Sequence, residues 1–567
     1  MKPIFILILI VFLGSVLRLI AIHTMPPSLN WDEISHGWNA YSILQTERDE
    51  WGQLFPLANF RAYGDYPLPL NLYITIPFIA IFGLNEISIR LPHAILGILT
   101  IIASYFLASG VTRNKKIGLL VSLLVAIEPW FLFTSRFVAQ ANLSIFFLTA
   151  AGAAFFNREK NKYLLPVSFL FLGLTLFSYH TTRIFSPLLL MTALFIYRNE
   201  WVTVFRKEKV VFFLSVFVFT CFFLPLPFIL ANSEARARSQ AVFLIDEGAV
   251  GKIIDSRKTS GLPQSLARLV YNKPTYFAHE FLKNYVDYFS PNFLFFKGGT
   301  QYQFSVPGYG LLYPVNLPFF YLGLFILAKQ ALKGNKDYRF VLVWLFLGAI
   351  PAALTTERFA VLRSTTMLPV PQILVGLGVW SAWNWWKIKS GRWRINKFLK
   401  FIPIALYFVV LAIAVENYLA TYFGEYRKNY SWSWQYGYKE VVEYTKAHYN
   451  EYDKIIVTKK YGEPHEFFLF YWPWQPVKYR EDPHLIRFYQ SNWYWVDRFD
   501  KFYFVNDWDV PKMENGKWKM ENGREIVIDG RTLLITSSGN YPPKWDLLKT
   551  VEFLDGKPAF DILERKQ

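Results

Sequence analysis

Cysteine is almost missing from this chain: Cys221 is the single one in 567 residues, and it stands inside an apolar run. No intramolecular disulfide and no cysteine-built metal cluster is open to it, and the residue reads as part of a packed core. An HExxH motif is absent, as are any nucleic-acid-binding motif and any clear internal repeat. Acidic residues are in the minority, 42 against 60 basic ones, for a net charge of +18. In a soluble protein that balance would point to nucleic acid. Here most of the excess falls in short loops between apolar segments, where basic residues set membrane topology. The first apolar run, residues 4–22, lacks a small-residue cleavage site and is longer than a signal core, so it reads as a retained helix. Beyond residue 420 long apolar runs are missing altogether.

What is abundant is apolar and aromatic surface, 53% and 19% of residues, which describes a polytopic α-helical membrane protein carrying a soluble part. After 4–22, apolar runs recur at 91–110, 117–134, 141–157, 163–180, 184–198, 209–231, 311–329, 339–356, 365–385 and 398–420. The expectation is about eleven spanning helices, each needing about 20 residues. Five basic loops, among them Arg113, Lys115 and Lys116, and Lys387, Lys389, Arg392, Arg394 and Lys397, are cytoplasmic by the positive-inside rule. If Pro67 to Leu84 also crossed, the loop with Arg113 would lie outside. That stretch carries Pro67, Pro69 and Pro77 and is expected to enter or lie on the outer leaflet without crossing. The N-terminus is then cytoplasmic, and 23–90 and 232–310 are outer loops. Residues 421–567 form an extracytoplasmic α/β domain, with strands near 453–458, 502–506 and 532–536 and helices near 438–448 and 464–471. Turn signals stand at Asn515, Asn522 and Asp529. The two domains expected are therefore 1–420 and 421–567.

Asn30-Trp31-Asp32-Glu33 follows the first span. Asn30 and Glu33 have the form of a capping box, which opens a helix whose Ile34, Trp38, Tyr41 and Leu44 share one face. Such a helix is expected to lie along the membrane surface. Asp32 is not needed by the box, and a carboxylate at a helix N-terminus is kept ionised by the local amides. Four further features share the outer face: Gly64-Asp65-Tyr66-Pro67, Ser135-Arg136, Tyr179-His180-Thr181-Thr182-Arg183, and Glu357-Arg358 with Arg363-Ser364. Arginines at the outer ends of several helices suit one anionic group, because a guanidinium binds phosphate bidentately; each also suits a head-group anchor. Arg18 reads as snorkelling to the interface. The long loop 232–310, with a surface-helix pattern over Ser233 to Ile254 and many aromatics over Tyr276 to Phe296, reads as a flexible cover.

Trp31-Asp32-Glu33, Gly64-Asp65-Tyr66-Pro67, Ile89-Arg90-Leu91-Pro92, Glu128-Pro129 before Ser135-Arg136, and Tyr179 to Arg183, in that order, resemble glycosyltransferase family 39. That family comprises the dolichyl-phosphate-mannose protein mannosyltransferases and aminoarabinose transferase-like enzymes of the GT-C superfamily. The resemblance is good over about the first 200 residues and loose in the later helices. It implies a GT-C fold with interfacial helices in the first outer loop, in a multi-pass protein of the cell membrane. The implied activity is a glycosyltransferase, hexosyl or pentosyl, acting with inversion. A sugar passes from a polyprenyl-phosphate-sugar donor to an extracytoplasmic glycan, lipid or protein hydroxyl. Asp32 would be the general base, with Glu33 and Asp65 orienting acceptor and base. Arg136, Arg183, Arg358, Arg363 and His180 would hold the donor's phosphate and lipid. No cofactor is implied, because arginine can neutralise the phosphate; a divalent ion on Asp32 and Asp65 is the minority reading. The rival reading is a transporter or flippase of lipid-linked substrates.

Overall fold

The computed structural model describes residues 2–64, 66–231, 242–393, 396, 398–490, 493–515, 517–519, 525–527 and 530–565. The chain forms two compact units. One comprises Met1–Ile20, His93–Ser135 and Ala139–Ala420; the other comprises Ala21–Pro92, Arg136–Val138 and Thr421–Gln567. The division at residue 420 falls where the apolar runs stop, but the first loop groups with the C-terminal part.

The first unit is helical. Among the described residues, Glu86–Thr112, Lys209–Ala231, Pro314–Leu332 and Phe398–Asn429 are each long and apolar enough to cross a membrane. Thr182–Ile196 and Arg198–Lys207, bent by 79°, make a fifth candidate when taken together. The run at 117–134 is two helices, Lys115–Ile127 and Pro129–Thr134, broken at Glu128-Pro129. Pro129 has no N–H to offer the carbonyl of Val125, four residues earlier, and the Trp130 N–H turns to the Leu311 carbonyl at 3.2 Å. Arg18 answers the break. It does not snorkel: it is fully buried and donates to the carbonyls of Val125 and Ala126, each at 2.9 Å. The Tyr313 hydroxyl donates to the next carbonyl, Ile127, at 2.9 Å. The Glu128 carboxylate accepts from Asn316 at 2.7 Å and Gln372 at 2.6 Å, which ties the break to two later helices.

One further expectation changes here. Cys221 is exposed rather than packed, because its helix, Lys209–Phe223, turns Val210, Phe213 and Phe217 outward as well. The long loop is built mostly as helices, Glu247–Thr259, Gln264–Val270 and Lys273–Asp287. The expected helix from Ser233 begins in residues outside the described ones. The aromatic richness resolves into a ladder on one helix face, Phe277, Phe281, Tyr285 and Phe289, with successive rings 5.4–5.9 Å apart.

The second unit holds a sheet of seven strands. In chain order the strands are β1 (Lys454–Thr458), β2 (Ile486–Gln490), β3 (Trp493–Phe499), β4 (Phe502–Val505), β5 (Lys517–Lys519), β6 (Glu525–Val527), β7 (Thr532–Ser537), β8 (Trp545–Glu552) and β9 (Pro558–Arg565). Their order across the sheet is β2-β3-β4-β1-β7-β9-β8, and β5 pairs only with β6. β1 is parallel to both neighbours and the remaining pairs are antiparallel. β1, β4 and β7 and the helices Tyr438–Ala447 and Pro464–Tyr471 stand where the sequence places strands and helices; the remaining strands are not among those expected from it. Asn522 and Asp529 lie outside the described residues.

The first-loop helix, Trp31–Thr46, is where the amphipathic pattern puts it. Its apolar face does not rest on lipid, however. Ile34, Trp38 and Ile43 are buried in one core with Val441, Val457, Phe468 and Phe470. A helix face of this kind buries against whatever apolar surface is nearest, and here that is the helices Leu70–Phe82 and Pro464–Tyr471.

Replacing Arg18 with Met should lower the thermal midpoint of the detergent-purified protein, since each stranded buried carbonyl costs about 1–3 kcal/mol. An unchanged midpoint in a thermal scan would mean that the guanidinium is not needed at the break.

Candidate active site

The site is built from the start of the helix Trp31–Thr46. The capping box is present: the Asn30 side chain accepts from the Glu33 N–H at 2.9 Å, and the Glu33 side chain accepts from the Asn30 N–H at 3.3 Å. Glu33 is fully buried and its carboxylate is saturated. Its oxygens also accept from Arg90 Nε and Nη2, both at 2.8 Å, and from the Val138 N–H at 3.1 Å. Arg90 spends its remaining donors on the carbonyls of Ile22 (3.1 Å), Pro26 (3.0 Å) and Ser28 (2.5 Å). All five guanidinium donors are used. Glu33 therefore has no oxygen left for a substrate.

Asp32 is left as the carboxylate at the helix start with a different environment. It is half-buried and accepts a hydrogen bond from the Tyr63 hydroxyl. Burial and then the Asp32 charge push the Tyr63 phenol well above its ordinary pKa, so it keeps its proton and stays a donor. The Asp32 backbone carbonyl is 2.6 Å from His36 Nδ1. Aromatic rings surround this carboxylate. Trp31 lies 6.3 Å from Tyr63, and Trp493 stacks on Tyr63 at 5.1 Å. Two glycines make the room. A Cβ at Gly64 would overlap the Trp493 indole, and one at Gly462, held at φ +115°, would overlap that of Trp31. Asp65 lies outside the described residues.

Arg136 belongs to the same unit. It is fully buried, donates to the Met25 carbonyl at 3.1 Å, and lies over the rings of Tyr422 and Phe423 at 5.7 and 5.1 Å. In the helical unit, His180 and Arg363 line one open cleft of about 500 Å³ with Tyr179, Val242, Phe243 and Pro351. Arg363 pairs with Glu357 at 3.2 Å. Arg183 donates through Nε to the Leu176 carbonyl at 3.1 Å, and Arg358 is paired with Asp287. The structure thus brings His180 and Arg363 to one cleft and gives Arg358 an acidic partner of its own. Tyr63 and Trp493 carry no sequence signal of a role, since their pairing with Asp32 is made across the fold. Arg90 was visible as part of an Ile-Arg-Leu-Pro motif, but not its partner.

Comparison with known proteins bears on this geometry. Residues 65–228 match the family described as dolichyl-phosphate-mannose-protein mannosyltransferase, a segment that contains Ile89-Arg90-Leu91-Pro92, Glu128-Pro129, Ser135-Arg136 and Tyr179 to Arg183 and begins after Trp31-Asp32-Glu33. An uncharacterized protein of Aquifex aeolicus (strain VF5) is 30% identical over 95 residues, covering 16% of this chain and 19% of that protein. Among solved structures, ArnT from Cupriavidus metallidurans, bound to undecaprenyl phosphate, superposes with a TM-score of 0.52 at 11% identity, over 98% of this chain and 97% of that one. The oligosaccharyltransferase AglB of Archaeoglobus fulgidus, in complex with an inhibitory peptide and a dolichol-phosphate, gives a TM-score of 0.49 at 15% identity over 82% of this chain. The alignment spans 63% of that protein's length. The likeness to ArnT shows a shared fold, mostly helical with a C-terminal β-sheet domain.

Removing one partner of the Glu33–Arg90 pair should destabilise strongly, since breaking a buried pair costs about 3–5 kcal/mol. Arg90→Met and Glu33→Gln are each expected to lower the thermal midpoint, and the double variant to lose less than the two together. Additive losses would show that the two side chains act independently.

Proposed function

We propose, for a chain that carries the mannosyltransferase-family segment and shares the fold of ArnT, that it transfers a sugar from a polyprenyl-phosphate-sugar to a hydroxyl acceptor, with inversion and with Asp32 as general base. The observation that carries this reading is the division of labour within Asp32-Glu33. Glu33 is saturated and fixes the helix start, while Asp32 keeps a half-exposed carboxylate oriented by Tyr63. A general base must be positioned and must have an open side. The partly exposed rings of Trp31 and Trp493 offer the flat apolar faces that suit the C–H face of a sugar.

In the reaction the acceptor O–H gives its proton to Asp32 while its oxygen attacks the anomeric carbon from the face opposite the leaving group. The bond from that carbon to the phosphate oxygen breaks and its electron pair leaves with the lipid phosphate. The developing charge needs fixed positive donors. Arg136, Arg183, Arg358 and Arg363 with His180 are the groups assigned to donor phosphate and lipid; the shared cleft makes His180 and Arg363 the first of them to test. Arg358 would have to leave Asp287 to take part. Asp65 is assigned to orienting the acceptor, and Glu33, which fixes the helix start, to orienting the base. Undecaprenyl phosphate on ArnT supports a polyprenyl carrier. The helices are read as about eleven spans with the N-terminus cytoplasmic, and the acceptor as an extracytoplasmic glycan, lipid or protein hydroxyl. Hexosyl and pentosyl donors both fit.

Sugar transfer from labelled polyprenyl-phosphate-sugars should fall about 10²- to 10⁴-fold in Asp32→Asn at matched expression, the usual contribution of a general base. Donor binding should be unchanged. Tyr63→Phe should lose about tenfold, the worth of one hydrogen bond of about 1.4 kcal/mol. Transfer by Asp32→Asn at the wild-type rate would remove the base from the scheme.

A further inference from the structure

Within the second unit, three carboxylates and a histidine are buried together away from Asp32. Glu50 comes from the first loop, after the helix Trp31–Thr46, and Glu463, His465 and Glu466 come from the start of the helix Pro464–Tyr471. All four are 1–3% exposed. His465 Nε2 faces Glu50 Oε1 at 3.9 Å and Glu466 Oε1 at 4.0 Å. One ligand atom from each of Glu50, His465 and Glu466 lies within 4.8 Å of the others. On its other edge the imidazole presents Nδ1 to Glu463 Oε2 at 3.5 Å.

We propose that Glu50, His465 and Glu466 bind one divalent transition-metal ion, Zn²⁺ by preference, which fastens the first loop to the C-terminal domain. Four observations point this way. Two nitrogen or oxygen ligands on one tetrahedral ion at about 2.0–2.2 Å stand about 3.3–3.6 Å apart, so the two measured separations, 3.9 and 4.0 Å, need to close by only a few tenths of an ångström. Among the described residues, Glu466 Oε2 is buried without a hydrogen bond, which natural interiors rarely tolerate. His465 is also the only basic side chain within ion-pair reach of the three carboxylates among the described residues. The nearby cations are otherwise engaged. Lys459 pairs with Asp497 at 2.5 Å, and Arg487 lies over the rings of Trp51 and Tyr479 and donates to the Glu50 backbone carbonyl.

The outer contacts also suit a metal. A ligating histidine generally turns its other nitrogen to a carboxylate, which fixes the ring, and Glu463 stands at that nitrogen. Glu463 is itself held by the Trp493 indole N–H, the ring that stacks on Tyr63. Tyr479 donates to Glu50 Oε1 at 3.2 Å. One imidazole with two carboxylates favours zinc or manganese over magnesium or calcium, which take oxygen ligands. Burial pushes Glu50 and Glu466 up and His465 down. A proton shared between the two carboxyls is therefore the competing arrangement, and the experiment must separate the two.

The full chain, purified in detergent, is stripped with a chelator and re-equilibrated with micromolar Zn²⁺ or Mn²⁺, then passed through a desalting column. Bound metal is read by mass spectrometry and stability by thermal scan. One ion per chain is expected, with a midpoint about 5 °C or more higher than the stripped protein at saturating metal. His465→Gln and Glu466→Gln should bind none and show no shift. No retained ion and no shift in the wild type would leave the shared proton as the correct account. Equal binding by wild type and variants would mean an adventitious ion only. Should the variants fail to fold, X-ray absorption at the zinc edge of the wild type decides: an imidazole in a shell otherwise of oxygen supports the site, and a shell without one overturns it. These readouts do not involve sugar transfer, so the site stands or falls apart from the proposed activity.

Discussion

The pairing of Glu33 with Arg90 is the constraint on which the candidate active site depends. A carboxylate with four acceptor positions meets a guanidinium with five donors, and every one of these is used. Three separate stretches are held by it: the loop carrying Ile22, Pro26 and Ser28, the start of the helix Trp31–Thr46, and the short segment Arg136–Val138. The pair therefore sets the direction in which Asp32 leaves the helix. It also sets where the backbone of Arg136 runs, since the Val138 N–H is bound and Arg136 donates to Met25, next to Pro26. A buried ion pair is a poor source of net stability. Its value here is that few other arrangements of the same groups satisfy every donor.

The helical unit solves a related problem at Glu128-Pro129. A proline inside a helical run leaves carbonyls without donors, and each must be matched in a place where water is scarce. Arg18 and Tyr313 supply the donors, and Glu128 itself becomes a junction for Asn316 and Gln372. The kink is thus tied to the first helix and to helices 188 and 244 residues further along the chain. The same logic explains why Arg18 is drawn inward: stranded carbonyls bind a guanidinium that would otherwise reach for the interface.

Much of this was legible in the sequence. The capping box, the helix behind it, the apolar runs and the strands at 454–458, 502–505 and 532–537 all follow from periodicity and turn chemistry, which are local. The second role of Glu33 was half visible, because Asn30 and Glu33 announce the cap but nothing local announces Arg90. Tyr63, Trp493 and the Glu50–His465–Glu466 group were not legible at all. Their partners lie 31 to 430 residues away, and a single sequence carries no record of such distances. The fate of the apolar face at Ile34 and Trp38 was misread for a related reason. Amphipathicity shows that a face will be covered, and leaves open whether lipid or protein covers it.

The core formed by Leu29, Ile34 and Trp38 with Val441, Ile455 and Phe468 also has a consequence for how the chain is made. At about 5–20 residues per second, the ribosome completes the C-terminal half of that core on the order of tens of seconds after the first loop has emerged. Throughout that interval the loop's apolar face has only its early partners, among them Leu72, Ile79 and Ile89, and lacks the C-terminal part of its core. Transiently exposed apolar surface of this kind is where chains aggregate or recruit chaperones. Asp32 is consequently among the first residues synthesised and among the last to be set in place, so that a chain cut short anywhere before the final strands would be inserted without the complete core behind that helix.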